Sequence, residues 1–511
     1  MKILYVPLDE RPCNYNYPIN LAKTRNDVEL LIPPREILGN KKESADIKKL
    51  WEYVNSNAPH VDGMVLSSEM LIYGGLLPSR LHHLSAENGK NRLKKIRQLR
   101  GKALQTPIYV SSLIMRTPKY DSADEEPSYY ADYGSRIFRR AYLQDRQTRA
   151  ENVTLQEEKE LAELEAEIPK SYIHDYESRR SFNVNINLQL LQLVEDGIID
   201  FLSIPQDDSS VFGYTAQDQR IVYHQIASKR LQEKIMVYPG ADEAGCTLLA
   251  RMLNQLLDRK LSVYYFYSTT LGPSIVPLYE DRPINESVKA HLSAARCHSA
   301  HTPENADFAL AINTPGHTME EAANQPNQDI SYSSFRQLQF FVEKIQRFIQ
   351  SSIPVVIADS AFANGGDQEL IQYLDDYHLL DKIHSYKGWN TNCNTLGSSI
   401  AAGTYGFDSR NSLVLKKNLI YHLFDDVFYQ SKIRNKITKE LLPTLNANYF
   451  NLNNKDAVVE GKIKEQLLTV FNNNILNSFR DIALSKLKIS CPWSRMFEIN
   501  IDLEIIQKQY E

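Results

Sequence analysis

Ten short runs of β-branched and apolar residues, most closed by a polar or acidic residue, constrain this chain more than any other feature. They occupy residues 3–8, 28–32, 61–66, 108–115, 199–204, 235–238, 263–267, 308–312, 355–358 and 383–386. Segments with helical spacing separate them. A run that is apolar along its whole length is buried on both faces, and parallel neighbours can be joined only by crossover segments. The pattern therefore predicts an α/β fold of parallel strands alternating with helices.

Two arrangements accommodate ten strands: a (β/α)-barrel with additions, or six strands in one α/β unit followed by four in a smaller doubly wound unit. We expect a barrel-like first unit over residues 1–260, a second, smaller α/β unit over 261–405 that completes a cleft, and a mainly helical C-terminal region over 406–511. A composition change near Leu261 and the Pro-rich stretch 273–283 mark the first boundary. Between the fourth and fifth strands lies a helical insertion, 121–193. It opens with a Tyr- and acid-rich loop and includes LQEEKELAELEAEI at 155–168, whose charged face reads as a solvated strut. The stretch at 7–12 is approximated by 277–283, but no similarity surrounds the echo, so it is read as coincidence.

Lys and Arg number 58 and Asp and Glu 63, a net charge of −5, so no global positive field exists to hold a polyphosphate. Nucleic acid is excluded as a main partner. No apolar run would span a bilayer and the N-terminus runs directly into a strand, which predicts a cytoplasmic protein without a membrane partner. A homo-oligomer stays open. The five cysteines are scattered without a C-x-x-C, as fits reduced core thiols.

Ligands of parallel α/β folds bind beyond the carboxyl ends of the strands, so the residues closing each strand carry the functional information. Those residues are unusually acidic and polar. Gln206-Asp207-Asp208-Ser209 is the sharpest group: two adjacent carboxyls leave a strand together, and acids held close cannot both ionise easily, which makes one a proton donor beside a carboxylate. Asp207 and Asp208 are the expected catalytic residues; helix capping and pairing with an arginine are the structural alternative. Asp242 and Glu243 offer a second such pair on similar terms, with occupancy of the first turn of a following helix as the structural alternative. Asp9, Glu10 and Arg11 follow the first strand; Arg11 and Arg116 could hold a carboxylate, of the substrate or of Glu69, or serve as structural ion pairs. Glu69 and Tyr73 precede two glycines in a loop that reads as ligand-facing. Trp389, flanked by Asn390, Asn392 and Asn394, combines a flat ring with amides, a composition suited to a sugar. Asp9, Glu10, Arg11, Glu69, Tyr73, Arg116, Asp242, Glu243, Trp389, Asn390 and Asn392 form the expected substrate-binding set.

There is no Walker loop, dinucleotide fingerprint, G-x-S-x-G, H-x-H or H-E-x-x-H, so no cofactor and no metal site is assigned. Oxygen-only binding of a divalent ion by Asp207, Asp208, Asp242 or Glu243 stays open.

Pro7-Leu8-Asp9-Glu10-Arg11-Pro12, Ser68-Glu69-Met70-Leu71-Ile72-Tyr73-Gly74-Gly75-Leu76, Gln206-Asp207-Asp208-Ser209 and Gly388-Trp389-Asn390-Thr391 together resemble a bacterial domain-of-unknown-function family of about this length. That resemblance covers most of the chain and carries no reaction with it. Asp207-Asp208 also looks like the adjacent acidic pair of retaining N-acetylhexosaminidases, an analogy spanning two residues. The leading expectation is a glycoside hydrolase acting on a small or oligosaccharide 2-acetamido substrate by a retaining, substrate-assisted mechanism. A metal-assisted hydrolase, lyase or isomerase of a small polar metabolite, and a non-enzymatic sugar-binding protein, are the alternatives.

Overall fold

Runs buried along their whole length do become parallel strands. The computed structural model describes residues 1–149, 152–409 and 412–508. Strands β1 (Lys2–Val6), β2 (Glu29–Leu31), β3 (Gly63–Ser67), β4 (Ile108–Ser111), β5 (Phe201–Gln206) and β6 (Ile235–Pro239) form one sheet in the order β2-β1-β3-β4-β5-β6. Every neighbouring pair is parallel. All residues of β3, β4 and β5 are buried, so both faces must be covered.

Further along follow β7 (Leu261–Tyr267), β8 (Cys297–Ser299), β9 (Phe308–Asn313), β10 (Glu320–Glu321), β11 (Val355–Asp359), β12 (Phe362–Ala363) and β13 (Ser385–Lys387). Five of these make a second parallel sheet, β13-β11-β9-β7-β8, while β10 and β12 pair separately. The ten expected runs coincide with ten strands of the two sheets. The eleventh, β8, has two of its three residues exposed and lacks an apolar run.

The barrel-like first unit is corrected. The first sheet is open, with β2 and β6 as its edges, because the second strand lies outside the first instead of continuing the sequential order that closure requires. Both sheets are doubly wound, and in both the order reverses between the first and third strands. Those switch points are β1/β3 and β7/β9.

The chain divides into two compact units. The first comprises Met1–Glu10, Glu29–Leu248 and Tyr279–Asp281; the second comprises Arg11–Val28, Leu249–Leu278 and Arg282–Glu511. The second thus takes in the C-terminal residues expected as a separate region, and it also holds the helix Pro12–Ala22. Within 412–508 the helices Ser412–His422, Leu423–Ile433, Arg434–Glu440 and Asp456–Asn474 are followed by an antiparallel hairpin of β14 (Ile482–Ser490) and β15 (Asn500–Gln507), where helix was expected to reach residue 487. A bulge between Leu484 and Lys486 breaks the strict alternation that would have marked β14.

In the first unit, the insertion supplies the helices Tyr130–Thr148, Leu155–Glu167 and Lys170–Glu195. Thr154 and Glu157 close a capping box at the start of the second. Its Glu157, Glu160, Glu165 and Glu167 form ion pairs with arginines of Tyr130–Thr148, while Leu161, Leu164 and Ile168 pack with Tyr130, Ile137 and Tyr176. Among the described residues no helix is long and apolar enough to cross a membrane.

Candidate functional site

The carboxyl ends of β3, β4 and β5 collect ionisable side chains in the first unit. After β3 the backbone makes a π-helical turn, Glu69–Tyr73, closed by Gly74 at φ +92°. A Cβ on Gly74 would lie 2.0 Å from the Ser44 hydroxyl, so only glycine fits this reversal. The wide turn buries the Glu69 carboxyl, which accepts hydrogen bonds from the Leu113 amide (2.7 Å), Ser67 (3.1 Å) and Ser68 (3.3 Å). Burial pushes Glu69 up to about 7, against the pull of those donors. Glu69, Tyr73, Ser112, Asn187 and Asp207 line a cavity of about 10 Å³, the space of one water molecule.

Asp207 and Asp208 leave β5 as expected, and each meets an arginine. Arg80 donates to Asp207 at 2.6 Å and also contacts Glu125 (3.0 Å) and Glu126 (3.4 Å). Arg116 donates to Glu125 (2.8 Å), Glu126 (2.9 Å) and Asp208 (3.2 Å). Two guanidiniums therefore serve four carboxyls. Arg80 and Glu126 are almost wholly buried, whereas the Asp208 side chain is 27% exposed. Burial, then the neighbouring Asp207, push Asp208 up to about 6, opposed by Arg116 and Arg80. Asp208 also sits at φ +42°, a conformation that a non-glycine residue holds only at an energetic cost.

Asp9 is buried after β1, and Glu10 accepts from the Lys41 amide at 2.8 Å. Glu243 accepts from the Ala241 amide at 2.9 Å, immediately before the helix Ala244–Leu256, and Asp242 is buried beside it. Glu243 therefore fits the helix-start role weighed for that pair. Glu69, Tyr73 and Asp207 share the small cavity, and Asp208 and Arg116 join them through the ion-pair network. Nothing in the sequence marked Arg80, and the acid-rich loop opening the insertion was the one sign of Glu125 and Glu126.

Arg11, Trp389, Asn390 and Asn392 belong to the second unit. Arg11 lies 4.0 Å from Glu498, with its guanidinium 5.3 Å from the Trp493 ring centre. Trp389 is 3% exposed, its ring meeting Tyr17 and Phe497 at steep angles. The sugar-stacking role expected of Trp389 is corrected: a platform must present a ring face, and this ring is packed inside the unit. Asn390 adopts φ +60° and its carbonyl accepts from the Asn364 amide at 2.7 Å; Asn392 is buried at the start of the helix Asn392–Gly406.

A second group of buried acids, Asp359, Asp367, Asp425 and Asp426, lies in the second unit. Asp359, closing β11, accepts from the Tyr386 hydroxyl (2.5 Å), Asn313 (3.0 Å) and the Asp367 amide (2.8 Å). Asp425 and Asp426 stand on a π-helix, Leu423–Ile433, with Tyr17 donating to Asp425 at 2.6 Å and the Gly388 amide to Asp426 at 2.9 Å. Burial raises Asp359 to about 6, with Asp367 adding to it, and raises Asp426 to about 7 against Lys387. Both π-helical stretches thus carry buried carboxyls beside a sheet, and π segments recur at functional sites.

Among the described residues, no group of three or more His, Cys, Asp and Glu side chains has an arrangement that could hold a metal ion. Comparison with curated proteins and with solved structures returns no match. The resemblance to a domain-of-unknown-function family does find its counterpart: residues 3–502 match the family described as "protein of unknown function (DUF4127)", and the chain belongs to that family.

Proposed function

We propose that the first unit is a glycoside hydrolase acting on a 2-acetamido sugar, by a retaining, substrate-assisted mechanism. The observation that carries this reading is the divergence within the Asp207–Asp208 pair. Asp207 is salt-bridged to Arg80 at 2.6 Å, while Asp208 is partly exposed and raised to about 6 by burial and by its neighbour. An acid whose proton affinity is brought towards neutrality beside a paired carboxylate suits proton donation to a leaving group.

In this mechanism Asp207 accepts a hydrogen bond from the acetamido N–H and steers its carbonyl oxygen onto the anomeric carbon. That bond forms as the glycosidic C–O bond breaks, and Asp208 gives its proton to the departing oxygen. Water then attacks the anomeric carbon, opens the cyclic intermediate and returns a proton to Asp208, so two inversions give net retention. The cavity beside Asp207 is the size of a water molecule, so the sugar would approach from the exposed side of Asp208.

Chromogenic 2-acetamido glycosides test the reading. Asp208→Asn is expected to lose turnover most on substrates with poor leaving groups while KM changes little, and Asp207→Asn to slow the cyclisation step. Unchanged activity in both variants, or no hydrolysis of any such substrate by the parent protein, defeats the assignment. Metal-assisted chemistry would instead need these acids as ligands, but an arginine already holds one oxygen of each. Loss of activity in chelator, restored by magnesium or manganese, would favour that alternative. Thermal stabilisation by sugars without product would favour a non-enzymatic binder.

A further inference from the structure

Within the second unit a cavity of about 390 Å³ is lined by five carboxamides: Gln325, Gln328, Gln368, Gln372 and Asn474. Its volume lies in the range of small-molecule sites. Buried Phe428, Ile371 and Val470 contribute an apolar part of the wall. Gln325 is fixed at both ends, donating to the Gly366 carbonyl (2.9 Å) and accepting from the Gln368 amide (3.1 Å). The side chains of Gln328, Gln372 and Asn474 make no hydrogen bond to other described residues, which leaves their donors and acceptors available.

The charges beside the cavity balance. Asp367 is bound to Arg336 at 2.5 Å, and Glu369, 3.8 Å from the same guanidinium, is offset across the lining by Lys432. Without one dominant sign of charge, the cavity selects dipoles over ions. A carboxamide both donates and accepts, as a hydroxyl does, and an aromatic edge or face favours C–H groups. From this combination we propose that the cavity binds a neutral, polyhydroxylated ring, a sugar or a cyclic polyol. The proposal goes beyond the hydrolase reading and does not depend on it.

The test is calorimetry with saturation-transfer NMR on the full chain, using glucose, N-acetylglucosamine and myo-inositol as probes and inorganic phosphate as the charged comparison. At least one polyol is expected to bind, and phosphate is not. A Gln372→Leu/Asn474→Leu double variant is expected to keep the parent melting temperature, because both side chains are exposed and unengaged, and to bind the polyol at least tenfold more weakly. Asp208→Asn should bind it as the parent does. Absence of polyol binding, preference for phosphate, unchanged binding in the double variant, or loss of binding in Asp208→Asn would each overturn the proposal. Polyol binding with no glycoside turnover defeats only the hydrolase reading, and turnover with no effect of the double variant on polyol binding defeats only this one.

Discussion

Replacing Glu69 with Gln should reverse part of the pH dependence of stability. In the fold this carboxyl is raised to about 7 by burial, against an ordinary value of 4.5. The folded chain therefore holds the proton more tightly than the unfolded chain, so the group's contribution is full below about pH 4.5 and is lost as pH rises through 7. Each pH unit of separation is about 1.4 kcal/mol, which makes the whole effect roughly 3 kcal/mol and the part falling between pH 5 and pH 8 about 2.5 kcal/mol. Glutamine has no proton to lose, keeps an oxygen for the Leu113 amide and matches the protonated glutamate in shape. Urea denaturation at pH 5, 6, 7 and 8, followed by circular dichroism, should show the variant gaining on the parent by about 2.5 kcal/mol across that range. Stability profiles that stay parallel to within about 0.5 kcal/mol would refute the claim that Glu69 is buried and protonated near neutrality.

Arg80→Met would strip Asp207, Glu125 and Glu126 of a buried counter-charge, and a loss of about 3–5 kcal/mol is expected in denaturation, with Arg80→Lys recovering part. A neutral result would mean that the acids are solvated. Gly74→Ala forces a Cβ onto the Ser44 hydroxyl at positive φ and should cost at least about 1 kcal/mol, read as a lower melting temperature. Thr154→Ala removes the capping box and should cost about 1 kcal/mol, with faster amide exchange at residues 155–158; unaltered exchange there would count against the cap.

Strand positions were legible because burial on both faces leaves a continuous apolar run, and β9, FALAIN, is such a run. Closure was not legible, since strand count says nothing about order, and the placement of β2 outside β1 decides between barrel and open sheet. The Asp207–Asp208 pair could be singled out because adjacency in sequence guarantees proximity in space. Arg80 could not, since 127 residues separate it from Asp207 and only the fold brings them together. Trp389 shows the reverse problem: an aromatic among amides looks alike whether its ring faces solvent or, as here, Tyr17. The π-helical segments had no sequence signature either, because one extra residue per turn changes no composition.

The placement of the helix Pro12–Ala22 in the second unit has a consequence for biosynthesis. This helix packs with Asn392–Gly406, and its Tyr17 bonds to Asp425, so its partners emerge from the ribosome some 380 residues after it does. At about 5–20 residues per second, the wait is roughly 20–80 s. Throughout that interval Cys13, Tyr17 and Leu21, buried in the finished protein, lack the cover that Asn392–Gly406 and Asp425 supply, which makes the nascent N-terminus a natural client for a chaperone. It also means that a gene cut near codon 260 separates this helix from Asn392–Gly406 and Asp425, so neither fragment contains a whole folding unit.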